Sequence, residues 1–451
     1  MSDIIAAIAT GRAPCAIGIL RLSGPGCAAL TGRVFTPKQP FADAPDRRLV
    51  LGLLHDRQGR VIDECLGVVC RAPHSYTGEE TVELQCHGSP AMLAAGLEAL
   101  LATGARQAGP GEFTRRAFLN GKLDLTQAEA VVDLIDAETA DAAANAAGQL
   151  GGALKRAIEP VYDGLTDLCS HFHAVLDYPD EDIEDFGAAE LSGALDRAGA
   201  ALQELLATYE KGRHLRQGVR AVLLGKPNAG KSSLLNRLAG YDRVIVTDIA
   251  GTTRDTVEEP VRVGRVLLRL TDTAGIREAG DAIEALGVAR SEQAAREAEL
   301  ALFVCDASQP LTDEDRRAIE AAKCAPRSLA LCNKSDLPAA VSPDELPFDT
   351  VLTVSARTGA GLNALPALLE GWFLGENACD GSLLTNPRQF GALDRASRAI
   401  ERAKTGLGLG VTPDAVLTDV EEAMAALGEV TGRTVREDIT NRIFERFCVG
   451  K

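Results

Sequence analysis

Residues 225–232 read Gly-Lys-Pro-Asn-Ala-Gly-Lys-Ser, a spacing of glycine, lysine and serine that suits the binding of nucleotide phosphates. Glycines allow backbone N–H groups to surround phosphate oxygens, Lys231 can reach the β and γ oxygens, and the Ser232 hydroxyl can bind Mg²⁺. An apolar run at residues 219–224 predicts a strand before the loop, and a helical pattern follows it, which is the context the motif requires. The motif alone is compatible with ATP as well as with GTP.

Three further motifs each follow a predicted strand; the first serves the metal and the γ-phosphate, and the other two select guanine. Residues 272–275 (Asp-Thr-Ala-Gly) bring a carboxylate to the metal and a glycine amide to the γ-phosphate. Residues 333–336 (Asn-Lys-Ser-Asp) end in Asp336, whose carboxylate can accept two hydrogen bonds from guanine N–H groups that adenine lacks. Ser355 and Ala356 follow the next strand, where a backbone amide can meet the guanine oxygen. Because such sheets bind ligands at the carboxyl ends of their strands, the four motifs predict GTP binding.

The loop at residues 247–255 supplies Thr253 as a second predicted Mg²⁺ ligand beside Ser232. Ile276 follows the Asp-Thr-Ala-Gly motif, where a Ras-like GTPase carries the glutamine that orients the attacking water. Isoleucine has no polar group, so hydrolysis needs another polar side chain and another source of positive charge. The predicted nucleotide contacts are Asn228, Ala229, Gly230, Lys231, Ser232, Ser233, Thr247, Thr252, Thr253, Asp272, Thr273, Ala274, Gly275, Asn333, Lys334, Asp336, Ser355 and Ala356.

Apolar periodicity predicts the elements that position these motifs. Between residues 216 and 374, short apolar runs alternate with helical patterns, as in a doubly wound parallel sheet. Two stripes of apolar residues at a/d spacing, at 154–175 and 191–209, are separated by an acidic loop and predict an antiparallel helical pair. Helical periodicity returns after Asn386, so an α/β domain is expected between two helical segments that pack together.

The predicted fold class is multidomain α/β. The expected parts are an N-terminal α+β domain at 1–120, a first helical part at 121–215, a doubly wound P-loop GTPase domain at 216–374 and a second helical part at 375–451.

The net charge and the cysteine content bear on whether the chain binds nucleic acid directly and on the compartment in which it works. The 47 basic and 64 acidic residues give a net charge of −17, and a chain this acidic does not coat nucleic acid non-specifically. Any RNA is therefore expected to meet a local basic patch or to be presented by a partner. Eleven scattered cysteines without a C-x-x-C pair, and no signal peptide, predict free thiols in the cytoplasm. No run approaches ~20 apolar residues, so no membrane span is expected.

Residues 448–451, Cys-Val-Gly-Lys, place a thiol and a lysine directly after an apolar helical pattern at Ile439, Ile443 and Phe447. Chain ends are usually polar and frayed. Spacing alone favours an ordinary chain end, whereas the residue types also suit a chemical role.

The chain resembles the MnmE (TrmE) family of bacterial tRNA-modification GTPases over essentially its whole length. The resemblance rests on a GTPase segment between helical halves, the final Cys-x-Gly-Lys, and four N-terminal stretches: residues 18–24 (GILRLSG), 75–79 (SYTGE), 110–114 (PGEFT) and 117–125 (AFLNGKLDL).

The resemblance implies a potassium-activated GTPase whose G domains pair across their nucleotide faces. By position, the Asn228 side chain and backbone carbonyls of Thr247, Ile249 and Thr252 would hold K⁺, which would supply the missing positive charge. Glu284 would orient the attacking water, although its spacing alone suits a solvent-facing helical charge.

The resemblance also implies an N-terminal domain that forms a homodimer and binds 5-formyltetrahydrofolate. The implied folate contacts are Arg21, Glu83, Lys122 and Lys451. Cys448 would either act as a nucleophile on the one-carbon unit or line the pocket. Residues 11–15 depart from the family's usual glycine- and proline-rich stretch, which puts the shape of that loop in question.

The family acts with an FAD-dependent partner of the MnmG (GidA) type, in a heterotetramer that adds an aminomethyl-type group to the wobble uridine of certain tRNAs. The alternative is a ribosome-assembly GTPase, a binding switch without one-carbon chemistry. Such proteins share the phosphate loop but carry a basic RNA-binding module, and no segment here is that basic. A scaffold that binds GTP without turnover is a third reading, which Asn228 and Glu284 disfavour.

Overall fold

The computed structural model describes residues 3–11, 13–177, 188–241, 258–272, 284–375, 380–434, 443–445 and 447–450. The chain divides into two compact units. Unit 1 comprises Met1–Val132, Leu150–Asp185 and Thr405–Lys451, and unit 2 comprises Asp133–Gln149 and Phe186–Lys404. Each unit therefore combines segments that are distant in sequence.

Unit 1 is built on a seven-stranded sheet in the order β3-β4-β5-β6-β2-β1-β7. Its strands are β1 Ile5–Ile8, β2 Cys15–Ser23, β3 Phe35–Pro37, β4 Val50–His55, β5 Val61–Cys70, β6 Thr81–Gly88 and β7 Arg106–Gln107. Four helices lie in this part of the chain: α1 Cys27–Thr31, α2 Pro90–Ala102, α3 Glu112–Leu119 and α4 Leu125–Ile135. A 3₁₀ turn spans Phe41–Asp43.

Side chains alternate between the two faces of this sheet. Leu20, Leu22 and Leu84 point into a core covered by α1 and α2, and all three are fully buried. The opposite face exposes apolar side chains: Ile17 is 60% exposed, Leu51 54% and Leu53 37%. We call these three residues the open sheet face.

Long helices complete both units: α5 Ala140–Leu150, α6 Ala153–Asp177, α7 Ala188–Ala207, α13 Pro387–Gly408 and α14 Pro413–Thr431. In unit 1, α6 packs on α14, where the Cys169 Sγ lies 3.5 Å from the Met424 Sδ. In unit 2, α7 lies beside α13, and the Gln203 Nε2 donates to the Ser397 Oγ at 2.9 Å. The predicted apolar stripes are buried from Leu154 to Leu168 on α6 and from Leu191 to Leu205 on α7, whereas Tyr209, the end of the second predicted stripe, begins α8. The side chains of Phe172 and Val175 lie outside the described part of the chain. Within its own unit each helix is partnered by a helix that follows the α/β segment. A stripe identifies a buried face without identifying what covers it.

The sheet of unit 2 has the order β13-β12-β11-β8-β10-β9, with all pairs parallel except β9 with β10. The strands are β8 Val219–Leu224, β9 Glu258–Val263, β10 Val266–Asp272, β11 Leu300–Asp306, β12 Arg327–Asn333 and β13 Val351–Thr353. The associated helices are α8 Tyr209–Gln217, α9 Lys231–Tyr241, α10 Glu284–Glu297, α11 Asp313–Ala322 and α12 Ala364–Phe373. A 3₁₀ turn spans Pro343–Glu345.

Every residue of β11 is buried, as expected for a central parallel strand covered on both faces. The predicted multidomain α/β class is confirmed, since an α+β part, long helices and a doubly wound sheet are all present. In the part of the chain that the structure describes, no helix has both the length and the apolar character needed to cross a membrane.

Candidate functional site

The loop between β8 and α9 has the backbone of a phosphate-binding loop. Gly225, Asn228 and Gly230 all have positive φ, at 144°, 63° and 97°. A Cβ at Gly230 would lie 2.1 Å from the Asn333 Nδ2, so only glycine fits there. The Lys231 Nζ donates to the carbonyls of Gly225 at 2.7 Å and Lys226 at 2.9 Å, and its side chain therefore lies along the loop.

Asn333, the last residue of β12, connects the phosphate loop to the loop that follows β13. Its side chain donates from Nδ2 to the Ala229 carbonyl at 2.9 Å, and its Oδ1 accepts from the Ala356 N–H at 2.9 Å. The residue is only 2% exposed, so both bonds are shielded from water. One buried amide thus brings together residues from three of the four predicted motifs.

The base-recognition candidate Asp336 lies in the same region. Its Oδ1 accepts from the Ser355 Oγ at 2.7 Å, and this hydrogen bond lowers the pKa of the carboxyl. The Ser355 Oγ in turn accepts from the Thr358 N–H at 3.1 Å. Lys334, with φ 66°, contacts the Asp306 carboxylate at 2.6 Å. The arrangement holds an ionised carboxylate beside the loop that carries Ser355 and Ala356.

Several predicted residues lie outside the described part of the chain. They are Thr247, Ile249, Thr252, Thr253, Thr273, Ala274, Gly275, Ile276 and Lys451. For Asp272 and Glu284 the structure describes the backbone, at the end of β10 and the start of α10, but not the side chain. Ser232 and Ser233 are at the start of α9, directly after the phosphate loop.

A second cluster of predicted residues lies in unit 1. The Arg21 Nε donates to the Glu83 Oε1 at 2.8 Å, and its Nη1 donates to the Gly450 carbonyl at 3.3 Å. The Arg21 guanidinium also lies 5.8 Å from the ring centres of Tyr76 and Phe113. These two aromatic partners were not predicted, although both lie within the stretches that carry the family resemblance.

The segment at residues 448–450 joins this cluster through its backbone. Val449 forms a β-bridge with Pro110, and the Cys448 carbonyl accepts from the Gly111 N–H at 3.3 Å. Gly450 has φ 101°, and a Cβ there would lie 2.4 Å from the Ile8 carbonyl oxygen. The Cys448 side chain is exposed.

Lys122, the remaining predicted folate contact, is exposed, and its side chain lies beside Gly78. In the altered stretch at residues 11–15, Cys15 is exposed and its Sγ lies 3.1 Å from the Ile17 carbonyl.

Comparison with known proteins agrees with the motifs. The family model described as the GTP-binding protein TrmE N-terminus matches residues 4–122, and the one described as the MnmE helical domain matches residues 125–448. Three relatives carry the name tRNA modification GTPase MnmE. The protein from Roseiflexus sp. (strain RS-1) is 45% identical, with 100% of this chain and 99% of the relative covered. Those from Chloroflexus aurantiacus and Aquifex aeolicus are 42% and 41% identical, with full coverage of both chains.

Full-length identity above 40%, two family models that together span residues 4–448, and the nucleotide loops of unit 2 all agree: the chain belongs to the MnmE family of tRNA modification GTPases.

Proposed function

We propose that this chain hydrolyses GTP, bound at the carboxyl ends of β8, β12 and β13, and that hydrolysis serves tRNA modification. The observation that carries the proposal is the buried Asn333 side chain, which joins the phosphate loop at Ala229 to the loop at Ala356. This geometry supports a single nucleotide pocket at the edge of the sheet where doubly wound folds bind their ligands.

Asp336→Asn tests the choice of base. The ionised Asp336 suits the two N–H groups of guanine, whereas an amide suits the altered base edge of xanthine. We expect weaker GTP binding and a gain in binding of xanthosine triphosphate, both measured by competition with a fluorescent GDP analogue. Asp344→Asn, at an exposed position of the 3₁₀ turn, is the matched control. Unchanged GTP affinity in Asp336→Asn would remove the guanine assignment.

We further propose that Mg²⁺ is held by Ser232 and Thr253, and that K⁺ activates hydrolysis at a site that includes Asn228. Asn228 is exposed at the mouth of the loop, and its side chain has no hydrogen bond to any residue that the structure describes. It is therefore available to a ligand. The other proposed K⁺ contacts are the carbonyls of Thr247, Ile249 and Thr252, and K⁺ supplies positive charge to the transition state as G domains pair.

The comparison of K⁺ with Na⁺ at equal ionic strength tests this cation site. Hydrolysis by the unmodified chain should be much faster in K⁺, and Asn228→Ala should remove most of the difference. Equal rates in both salts would exclude the K⁺ role.

Glu284→Ala tests the residue proposed to orient the attacking water. The variant should keep GTP binding and lose turnover, and unchanged turnover would mean that another residue orients the water.

For unit 1 we propose binding of 5-formyltetrahydrofolate beside Arg21 and Glu83, with Lys122, Lys451 and Cys448 as further contacts. The pterin ring has N–H groups that can donate hydrogen bonds to a carboxylate, and the carboxylates of the folate glutamate tail can pair with lysine or arginine side chains. Isothermal titration of the full chain should detect binding, and Glu83→Gln should weaken it. The exposed Glu98→Gln on α2 is the control. No heat at millimolar folate would contradict the folate site.

Cys448 has two proposed roles, as a nucleophile on the one-carbon unit or as a residue that lines the pocket. Cys448→Ser distinguishes them in cells, because loss of the tRNA modification supports the nucleophile and an unchanged level supports a lining role.

The open sheet face supports a homodimer, since Leu51 and Leu53 on β4, and Ile17 on β2 beyond the two intervening strands, expose apolar side chains on one face of the same sheet. Leu51→Glu should shift sedimentation towards the monomer, whereas Leu337→Glu, at an exposed leucine of unit 2, should not. A dimer that survives Leu51→Glu would move the interface elsewhere.

The net charge of −17 disfavours extensive binding of tRNA by this chain itself. We therefore propose that an FAD-dependent MnmG-type partner makes most of the contacts with tRNA, in a cytoplasmic heterotetramer of the two proteins. The reaction class is addition of an aminomethyl-type group to the wobble uridine. Nucleoside analysis of tRNA from cells that lack the protein tests this function. Normal wobble uridines together with defective ribosomes would favour the ribosome-assembly switch.

A further inference from the structure

An ion pair tethers the phosphate loop to helix α11, and this helix lies outside all four nucleotide motifs. The Lys226 Nζ lies 2.8 Å from the Asp315 Oδ2. The Lys226 side chain is 16% exposed and that of Asp315 is 0% exposed. Lys226 is the second residue of the loop, and Asp315 follows it by 89 residues. The contact therefore links two elements that the sequence motifs do not connect.

The Asp315 carboxylate is itself held firmly. Its Oδ2 accepts from the Thr312 N–H at 2.9 Å, and the Thr312 Oγ1 accepts from the Asp315 N–H at 3.4 Å, which together form the capping box of α11. The Thr312 hydroxyl also donates to the Asp315 Oδ2 at 2.7 Å. Its Oδ1 is buried and has no hydrogen-bond partner among the described residues. Since a buried carboxylate without a cation is costly, Lys226 is kept in contact with this helix start.

The backbone of Lys226 supports the residue that reaches the phosphates. Its carbonyl accepts from the Lys231 Nζ at 2.9 Å and from the Ala229 N–H at 3.3 Å. The side chain that Asp315 anchors and the carbonyl that holds Lys231 thus belong to one residue. The contact with Asp315 therefore restrains the residue whose carbonyl holds the Lys231 Nζ.

We propose that Asp315 is a positioning residue for nucleotide binding, which acts through Lys226 to hold the phosphate loop in the conformation that receives the phosphates. The inference rests on the proposed assignment of residues 225–232 as the phosphate site. Because GDP, GTP and the transition state for hydrolysis all occupy the same loop, the tether contributes equally to the binding of each. Uniform binding of this kind lowers KM and leaves kcat unchanged.

Three variants of the full-length chain test the proposal: Asp315→Asn, Lys226→Met and the double variant. We expect KM for GTP and Kd for a fluorescent GDP analogue to rise roughly tenfold in all three, with kcat changed by about twofold or less. Lys226→Met leaves a buried carboxylate unpaired and lowers Tm. The double variant removes both charges and regains part of that Tm without regaining affinity. Lys226→Arg keeps the cation and should restore nucleotide binding.

Two controls separate the possible failures. Lys323→Met changes the residue that follows the last turn of the same helix, where it removes only an exposed pair with Glu320, and it should leave KM, Kd and Tm unchanged. Lys231→Ala should abolish nucleotide binding, and retained binding would refute the assignment of the loop itself. If Lys231→Ala fails to bind but Asp315→Asn and the double variant keep the original KM and Kd, the pair is only structural and the proposal is overturned. A double variant that regains affinity along with Tm overturns it as well.

Discussion

Asn333→Ala is the most direct test of how the nucleotide site is held together. Truncation removes a donor from the Ala229 carbonyl and an acceptor from the Ala356 N–H, both of which pair with Asn333 at 2.9 Å. Each group left unpaired and buried costs about 1–3 kcal/mol. Ala229 is fully buried and Ala356 is 8% exposed, so water replaces neither bond easily. With partial relaxation we expect a local loss of about 3 kcal/mol.

Hydrogen exchange measured by mass spectrometry is the suitable assay, because a chain of two units need not unfold in one transition. A loss of about 3 kcal/mol corresponds to roughly 100-fold faster exchange, since each 1.4 kcal/mol is about a factor of ten. Peptides that cover residues 225–232 and 353–360 should both show it. Asn363→Ala is the control, because Asn363 precedes α12 without a side-chain cap. Faster exchange in only one of the two peptides would refute the bridging role of Asn333.

Two further predictions concern charge and backbone conformation. Burial raises the pKa of the Glu299 carboxyl, but donors led by His214 outweigh burial and lower it to about 2, from a usual value of 4.5. The ionised carboxylate therefore stabilises the fold above pH 4.5, and this contribution is lost as the pH falls towards 2. Glu299→Gln should lower the free energy of unfolding at neutral pH and make it depend less on pH in the acid range, as measured by denaturant titration. An unchanged dependence of the unfolding free energy on pH would contradict this role of Glu299. Gly450→Ala meets the Ile8 carbonyl at 2.4 Å with φ 101°, so it should displace the 448–450 segment at a cost of about 1–3 kcal/mol. Exchange of the Gly111 amide reports the displacement, and Gly410→Ala, with positive φ but open space, should not change it.

The positions of the nucleotide loops follow from the sequence, whereas the contacts between them do not. Residues 225–232 and 333–336 come after apolar runs of strand length, and parallel strands bring their carboxyl ends to one edge. The role of Asn333 as a bridge depends on atoms 104 and 23 residues away in the chain, which no local pattern reports. The partnership of Lys226 with Asp315 is hidden for the same reason.

Helix pairing shows a similar limit. The a/d spacing predicts an apolar face on α6, which is buried from Leu154 to Leu168, but the helix that packs on α6 is α14, about 250 residues further on. For the 448–450 segment, the thiol and glycine are visible in the sequence, while the β-bridge to Pro110 is not. The sequence therefore predicts which side chains can do chemistry, but it does not predict which distant residues contact them in the fold.

The contact between Arg21 and Gly450 closes a loop of 429 residues. During synthesis, strands β1 to β7 emerge early and can pair with one another. The segment at 448–450 is translated only after both α/β and helical parts of unit 2 have left the ribosome. The Arg21 cluster therefore assembles late. Until then, the part of the first sheet near Pro110 lacks its β-bridge with Val449. An uncovered sheet edge is a place where another chain can pair.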